Sequence, residues 1–460
     1  MNETAQLAAF VADLTYPDLP PKVVQTAKLC LLDTLGVGLF ASQMPWTKIV
    51  AQIGHQNKGA QESVVWGTSA KVPAEYAALA NGVAAHGIEM DDRKPSLGLH
   101  PGCQVIPSAL ALAEKIHLDG KSLIGAITAG YEVIMRVGKA IPRPRRGINS
   151  AAHKGVWGSV AASTKVLGLN AAQTLNAFGL AGFMASGISD YSEDGSTSMM
   201  KRLMGGWPSH SGVMAALLAQ NGLTGLATML EDKSGYCRIF AGDEQPRLGE
   251  LTKDLGRSFQ ILEREIKPYA AWGGSHLCID AANLLKIQYD IQPQDVEKLI
   301  VCCASRLYEN RQIRSPRSIM AGQMSMPFIT ALAFFYDLRD PEIWREEILS
   351  DERVLQFLDR VDCRVDEEIE KRWRVTGGQG EVKIVAQLKG GTERSAVIVH
   401  SKGTTENPMT EEEIRKKFFL LAARRLPAER CAQIATAVSS LEQITDLREF
   451  TELLRTPQEN

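Results

Sequence analysis

Apolar positions recur near helical spacing through the first part of the chain. In PKVVQTAKLCLLDTLGVGLFAS, opened by Pro20-Pro21, they are Val24, Ala27, Leu31, Leu35 and Val37, the pattern of one buried helix face. Proline suits a first helical turn because its missing N–H would lack a partner there. The same texture predicts helices over about 73–90, 105–117 and 121–139, before IPRPRRG breaks it. Small residues crowd 151–190, which lets helices approach closely, and Asn170 and Thr174 read as caps or turn residues. Another Ala-rich helix within 209–225 is stopped by Asn221-Gly222.

Near residue 265 the period changes. DVEKLIVCCASRLYE at 295–309 is β-rich at its centre. GQGEVKIVAQLKGGTERSAVIVHSKG at 378–403 reads as two alternating strands around Gly390-Gly391, a hairpin signal. Between them 319–337 and 341–360 look helical. Helical texture returns in NPMTEEEIRKKF, where glutamates follow Thr410 as in an N-cap. The fold class expected is mainly α: a large helical domain from 1–267 plus 405–460, with a smaller α+β lid inserted at 268–404.

Composition narrows the function. Lys+Arg is 51 and Asp+Glu 53 over 460 residues, without the cationic surplus that nucleic acid or an anionic membrane demands. The eight cysteines are scattered, with no CxxC, which reads as reduced thiols in a cytoplasmic protein. The N-terminus lacks the basic and apolar regions of a secretory signal, and no run of about 18 apolar residues suggests a membrane span. Zinc spacing, a P-loop, a GxSxG elbow and a GxGxxG are all absent. These absences remove the easiest hydrolase, NTPase and dehydrogenase readings.

Four segments could carry chemistry. Between Val133 and Ser189 there is no acid, but there are Arg136, Lys139, Arg143, Arg145, Arg146, His153, Lys154 and Lys165, as in a pocket for a small polyanion or in a buried helix pair. In HGIEMDDRKPSLGLHPG, a helix continued to about Arg93 would align His86, Glu89 and Arg93, with Asp92 beside them, before Pro95 ends it and the loop delivers His100. Such a set suits proton transfer and carboxylate binding. In STSMMKRLMGGWPSHSG, Lys201 lies between methionines; partial desolvation would lower its pKa, while a snorkelling lysine is the plainer alternative. His210 reads as a core histidine. In KPYAAWGGSHLCIDAANLL, His276 follows a Gly-Gly-Ser turn at a helix start, which favours a neutral, proton-accepting imidazole.

Together these segments resemble the MmgE/PrpD family, which includes 2-methylcitrate dehydratase, cis-aconitate decarboxylase and iminodisuccinate epimerase. The resemblance rests on LLDTLGVGLFAS, NGVAAHGIEMDD, the HPG loop, AAHKGVWGSVAASTKVLGL, KPYAAWGGSH, AGQMSMPF and ENPMTEEEIRKKF, in that order. It implies a helical domain with an α+β lid, a homodimer, no metal and no organic cofactor, and a small di- or tricarboxylate substrate. It implies that Lys201 and His276 are the family's active-site lysine and histidine, and His100 the loop histidine. Asp91 and Asp92 match the paired acids, Glu89 stands where Asp is frequent, and His153 matches a pocket histidine. Arg93 follows the acids where Thr is common, and Lys154-Gly155 stands where Pro-Thr often follows the histidine.

The function expected is a cofactor-independent lyase, a dehydratase or decarboxylase working by proton transfer α to a carboxylate. His276 acts as base or acid, Lys201 stabilises enediolate charge, Arg93, His100 and Lys154 orient carboxylates, and Asp92 positions a histidine or holds the loop. An isomerase or epimerase using Lys201 and His276 on opposite faces is the first alternative. A carboxylate-binding scaffold without catalysis is the second.

Overall fold

The computed structural model describes residues 2–57, 59–142, 144–189, 198–376 and 380–457. Arg143, the first two residues of the Lys201 segment and the Gly378-Gln379 start of the hairpin segment lie outside them. The chain is mainly α, with its larger sheet in the C-terminal half. It forms two compact units. One comprises the chain up to Ser189, Met199–Arg264 and everything from Thr410; the body of the other is Glu265–Met409.

In the first unit the helices Ala74–Ala85, Gly102–Lys115, Gly120–Ala140, Ser150–Val166 and Leu203–Gln220 pack on one another around a continuous apolar core. Pro21–Ala41 has the length and apolarity of a membrane span, yet its most apolar window is 83% buried in the folded chain. There it packs against Glu411–Ala422, whose start is fixed by a capping box between Thr410 and Glu413. A short hairpin, Ser63–Val64 with Lys71–Val72, also belongs to this unit and was not apparent in the sequence pattern.

The Ala/Gly texture has a direct purpose at one crossing. A Cβ on Gly205 would stand 2.2 Å from the Gly82 carbonyl oxygen, and one on Gly206 would stand 2.5 Å from that of Leu79. The helices Ala74–Ala85 and Leu203–Gln220 therefore meet backbone to backbone. This close approach brings the C-terminal end of the first, at His86, to the start of the second, at Arg202.

The second unit holds a four-stranded sheet ordered Val361–Val365, Val296–Cys303, Val382–Leu388, Glu393–Ile398. The first pair is parallel and the others antiparallel, with Val385 opposite Ser395 in the hairpin. Gly390 and Gly391, both at positive φ, make its turn. The helices His276–Tyr289 and Met326–Phe335 pack against each other and the sheet. The expected 341–360 helix is replaced by two 3-10 turns and Glu352–Leu358.

The helix crossing yields a stability prediction. Gly205→Ala places a methyl against backbone that cannot rotate away, at a cost of about 1–3 kcal/mol. Gly125→Ala, a helix position with nothing within 4 Å of the added carbon, should be neutral or stabilise by about 0.5–1 kcal/mol. Thermal unfolding of the pair checks this; equal midpoints would refute the close-approach reading.

Candidate active site

The helix reading of 86–93 is corrected by the structure. Ala74–Ala85 ends with His86 as its C-cap. Glu89 then takes a left-handed conformation, φ 61°, which costs a non-glycine residue about 1–3 kcal/mol and persists only where its surroundings enforce it. The face at i, i+3 and i+7 therefore does not form. The residues are brought together by a buried turn instead, and His86, Glu89, Asp91, Asp92 and Arg93 are all buried in it.

What enforces the turn is a polar network. Glu89 Oε1 accepts from Lys201 Nζ at 2.6 Å and from a terminal nitrogen of Arg202 at 2.7 Å. The same Arg202 nitrogen donates to the His86 carbonyl at 3.1 Å, and the guanidinium lies 5.2 Å from the Trp46 ring centre. His86 Nδ1 is 2.8 Å from Asp91 Oδ2, and His100 Nδ1 is 2.8 Å from the same oxygen. A carboxylate only accepts, so both imidazoles donate through Nδ1. That leaves His86 Nε2 to accept from Lys201, 3.2 Å away, and makes Nε2 the basic nitrogen of a neutral His100. Burial above all, aided by the nearby Lys201 cation, holds His86 down at about 4.

Lys201 is buried although its methionine neighbours are not. Met199 and Met200 are exposed, and the lysine is enclosed by Glu89 and His86, in a 3-10 turn that runs straight into Leu203–Gln220. His100, with 19% of its side chain exposed, is the accessible member; the Asp91 and Lys201 side chains are at 1% and 4%.

Asp92 turns away from the histidines. It accepts from Tyr131 OH at 2.6 Å and from the Gly102 N–H at 2.7 Å, at the start of Gly102–Lys115. A Cβ on Gly102 would lie 2.6 Å from Asp92 Oδ1, so only glycine allows that grip. Asp92 thus holds the His100-Pro101-Gly102 loop. Burial pushes its carboxyl up to about 7.

The acid-free stretch disperses. Arg136 pairs with Glu132 and reaches the Lys253 carbonyl, Lys139 pairs with Glu263, and Lys165 caps the Ala12 carbonyl. His153 is sealed in an aromatic cluster, its Nδ1 2.7 Å from Tyr236 OH and its ring stacked on Phe240. Lys154 is buried as well, donating to the Leu97 carbonyl at 3.0 Å and to Ser150 Oγ at 2.8 Å, with burial pulling it down to about 7. It holds the loop leading to His100. His210 stacks on Trp207. In the second unit, His276 opens the helix His276–Tyr289. Its Nε2 is 3.2 Å from the Ala271 carbonyl, so Nδ1 carries the lone pair of the neutral ring.

Among the described residues, one group offers metal-ligand atoms within 4.8 Å of one another: His86, Asp91 and Cys103. Their hydrogen bonds engage them differently, His86 with Asp91 and Cys103 Sγ with the His100 carbonyl at 3.2 Å.

The sequence profile of the MmgE/PrpD N-terminal domain matches residues 5–249, and that of the C-terminal domain matches 269–443. The chain belongs to the MmgE/PrpD family. It is 27% identical to the cis-aconitate decarboxylase-like protein oryM of Aspergillus oryzae, over 98% of this chain and 97% of the relative. It is 26% identical to cis-aconitate decarboxylase of Aspergillus terreus (99% and 96% covered) and 25% identical to that of Homo sapiens (99% and 95%). For this MmgE/PrpD chain, sequence reasoning passed over Arg202 and the role of Asp91. The signal for Arg202 was a Lys-Arg pair set in an apolar run; for Asp91 there was none, since adjacent acids look alike until the backbone turns them apart.

His86 and Asp92, two of the shifted groups, oppose each other in pH. His86 ordinarily titrates at 6.5 and here at about 4, so the unfolded chain takes up a proton first and stability falls as pH drops from 6.5 to 4. Asp92 ordinarily titrates at 3.8 and here at about 7, so the folded chain keeps its proton longer and stability falls as pH rises through that interval. Asp92→Asn, which mimics the protonated acid, removes only the second effect. Its unfolding midpoint relative to wild type should climb from pH 4 to 7 and level off above. A difference that does not vary with pH would contradict the Asp92 assignment.

Proposed function

We propose that the chain is a lyase acting on a small tri- or dicarboxylic acid by proton transfer beside a carboxylate, without metal or organic cofactor. Decarboxylation is the leading outcome and dehydration the alternative. The observation that carries the reading is the near full-length similarity to cis-aconitate decarboxylases. The chemistry needs a group to deliver or remove a proton at carbon and a cation to meet the developing charge. His100 suits the first: Asp91 fixes its tautomer, so Nε2 is the nitrogen that exchanges protons. Lys201 suits the second, held by Glu89 and His86 at the start of a helix. His276 is kept as a further acid or base on the strength of its place in the KPYAAWGGSH segment.

Arg93 and Lys154 are assigned to orienting carboxylates, Lys154 through the loop it holds. Asp92 is assigned to keeping His100 in place. A homodimer is the proposed assembly.

Loss of CO2 leaves an electron pair on the carbon skeleton, and a proton must be added where that pair ends. In heavy water, turnover of cis-aconitate should therefore release CO2 and leave one carbon-bound deuterium per product molecule, read by NMR. Lys201→Ala and His100→Ala should each lower kcat by about 10²-fold or more. Loss of water without CO2 from a β-hydroxy tricarboxylate, offered in place of cis-aconitate because the latter has no hydroxyl to lose, would favour the dehydratase. No turnover across a panel of di- and tricarboxylates would defeat the proposal, and full activity in both variants would defeat the residue assignment.

A further inference from the structure

We infer that Lys417, on the helix Glu411–Ala422, is a positioning residue for Asp91: by holding the Met90 carbonyl it aims the Asp91 carboxylate at His86 and His100. The inference rests on the proton-transfer role proposed for His100.

Lys417 Nζ lies 2.6 Å from the Met90 carbonyl oxygen and 2.6 Å from Asp33 Oδ1, and both charged side chains are buried. The Met90 carbonyl belongs to the planar peptide that joins Met90 to Asp91, so gripping it orients the whole peptide plane from which Asp91 departs. The grip is applied next to the residue that most needs it. Glu89, one position earlier, is the left-handed residue of the turn. Its side chain is tied down by Lys201 and Arg202; the following backbone is tied down by Lys417.

Asp33 explains why a lysine can sit there. It comes from the long helix Pro21–Ala41 and supplies the counter-charge from the opposite side. Its own carboxyl is pushed up by burial and drawn down by Lys417, and it interacts electrostatically with both Asp91 and Asp92. The ammonium therefore also shields the two site acids from a third. The lysine's placement is rigid: the capping box at Thr410 sets the helix start, and Phe418, the next residue, packs 3.2 Å from where a Cβ on Gly36 would be.

Removing Lys417 alone would strand a buried carboxylate, so the test removes the pair together in Asp33→Asn/Lys417→Met; replacing both members of a buried ion pair is often tolerated. Two properties are measured: kcat and KM on whichever carboxylate the wild type turns over, and the downfield imidazole N–H proton resonances of His86 and His100, which report their bonds to Asp91. The expected result is a folded variant whose kcat is about 10–100-fold lower with KM changed by less than about threefold, and whose two imidazole resonances shift or vanish. Lys417→Arg, which keeps a donor, should retain both resonances and most of kcat, and it decides the matter if the double variant does not fold. Wild-type kcat with unchanged resonances would overturn the inference and leave Lys417 as a counter-ion for Asp33. A fall in kcat with unchanged resonances would overturn it too, since the loss would not pass through Asp91. Were the wild type to turn over no carboxylate, the proposed function would fail, while the resonances would still decide whether Lys417 positions Asp91.

Discussion

The closeness of two helix backbones governs the first unit. Where Ala74–Ala85 crosses Leu203–Gln220, Gly82, Gly205 and Gly206 leave no room for a single extra carbon. One helix ends at this crossing and the other begins there. The free carbonyls and side chains at one end are thereby placed against cations at the other, and Glu89, His86, Lys201 and Arg202 fall within hydrogen-bond reach. Larger side chains at the crossing would leave these groups too far apart to satisfy one another, and buried charges do not survive without partners.

Within the network, direction matters more than strength. One oxygen of Asp91 accepts from two imidazoles, so it dictates the tautomer of each. The first histidine is thereby turned to face Lys201 and the second is left with its basic nitrogen elsewhere. The neighbouring acid, Asp92, is spent on a helix start and a tyrosine. Two adjacent carboxylates of identical chemistry thus serve different purposes, the one electrostatic and the other architectural, because the chain turns sharply between Glu89 and Gly102.

Much of the fold could be read from the sequence because it is written locally. The period in Pro21–Ala41, the Gly390-Gly391 turn and the cap at Thr410 each depend on neighbours a few residues away. The end of the Ala74–Ala85 helix was not read this way. Gly87, just past the His86 cap, is a local stop signal that the helical spacing of His86, Glu89 and Arg93 outweighed, and the left-handed Glu89 is held by Lys201 and Arg202, 112 and 113 residues further on. The parallel strand Val361–Val365 was missed for a similar reason: short, and defined by pairing with Val296–Cys303. Apolar neighbours flagged Lys201, and the gathering of acids and histidines before a Gly/Pro-rich loop flagged Glu89, Asp92 and His100. The acid-free stretch flagged His153, whose partner Tyr236 lies 83 residues away, and nothing local distinguishes a histidine bound to a core tyrosine from one bound to a network of charges.

The Lys417 ion pair has a consequence for how the chain acquires its shape. Met90 and Lys417 are 327 residues apart, so during synthesis the turn bearing Glu89 and Asp91 leaves the ribosome long before the ammonium that steadies it exists. Until then Asp33 lacks the cation it pairs with in the folded chain. Glu411–Ala422, one of the later helices to be made, closes on the early helix Pro21–Ala41, and contacts of such long sequence separation are the slow ones in folding. A chain stalled before Glu411–Ala422 would carry every residue of the His86–Asp91–His100 set and still lack the lysine that holds the Met90 carbonyl beside it.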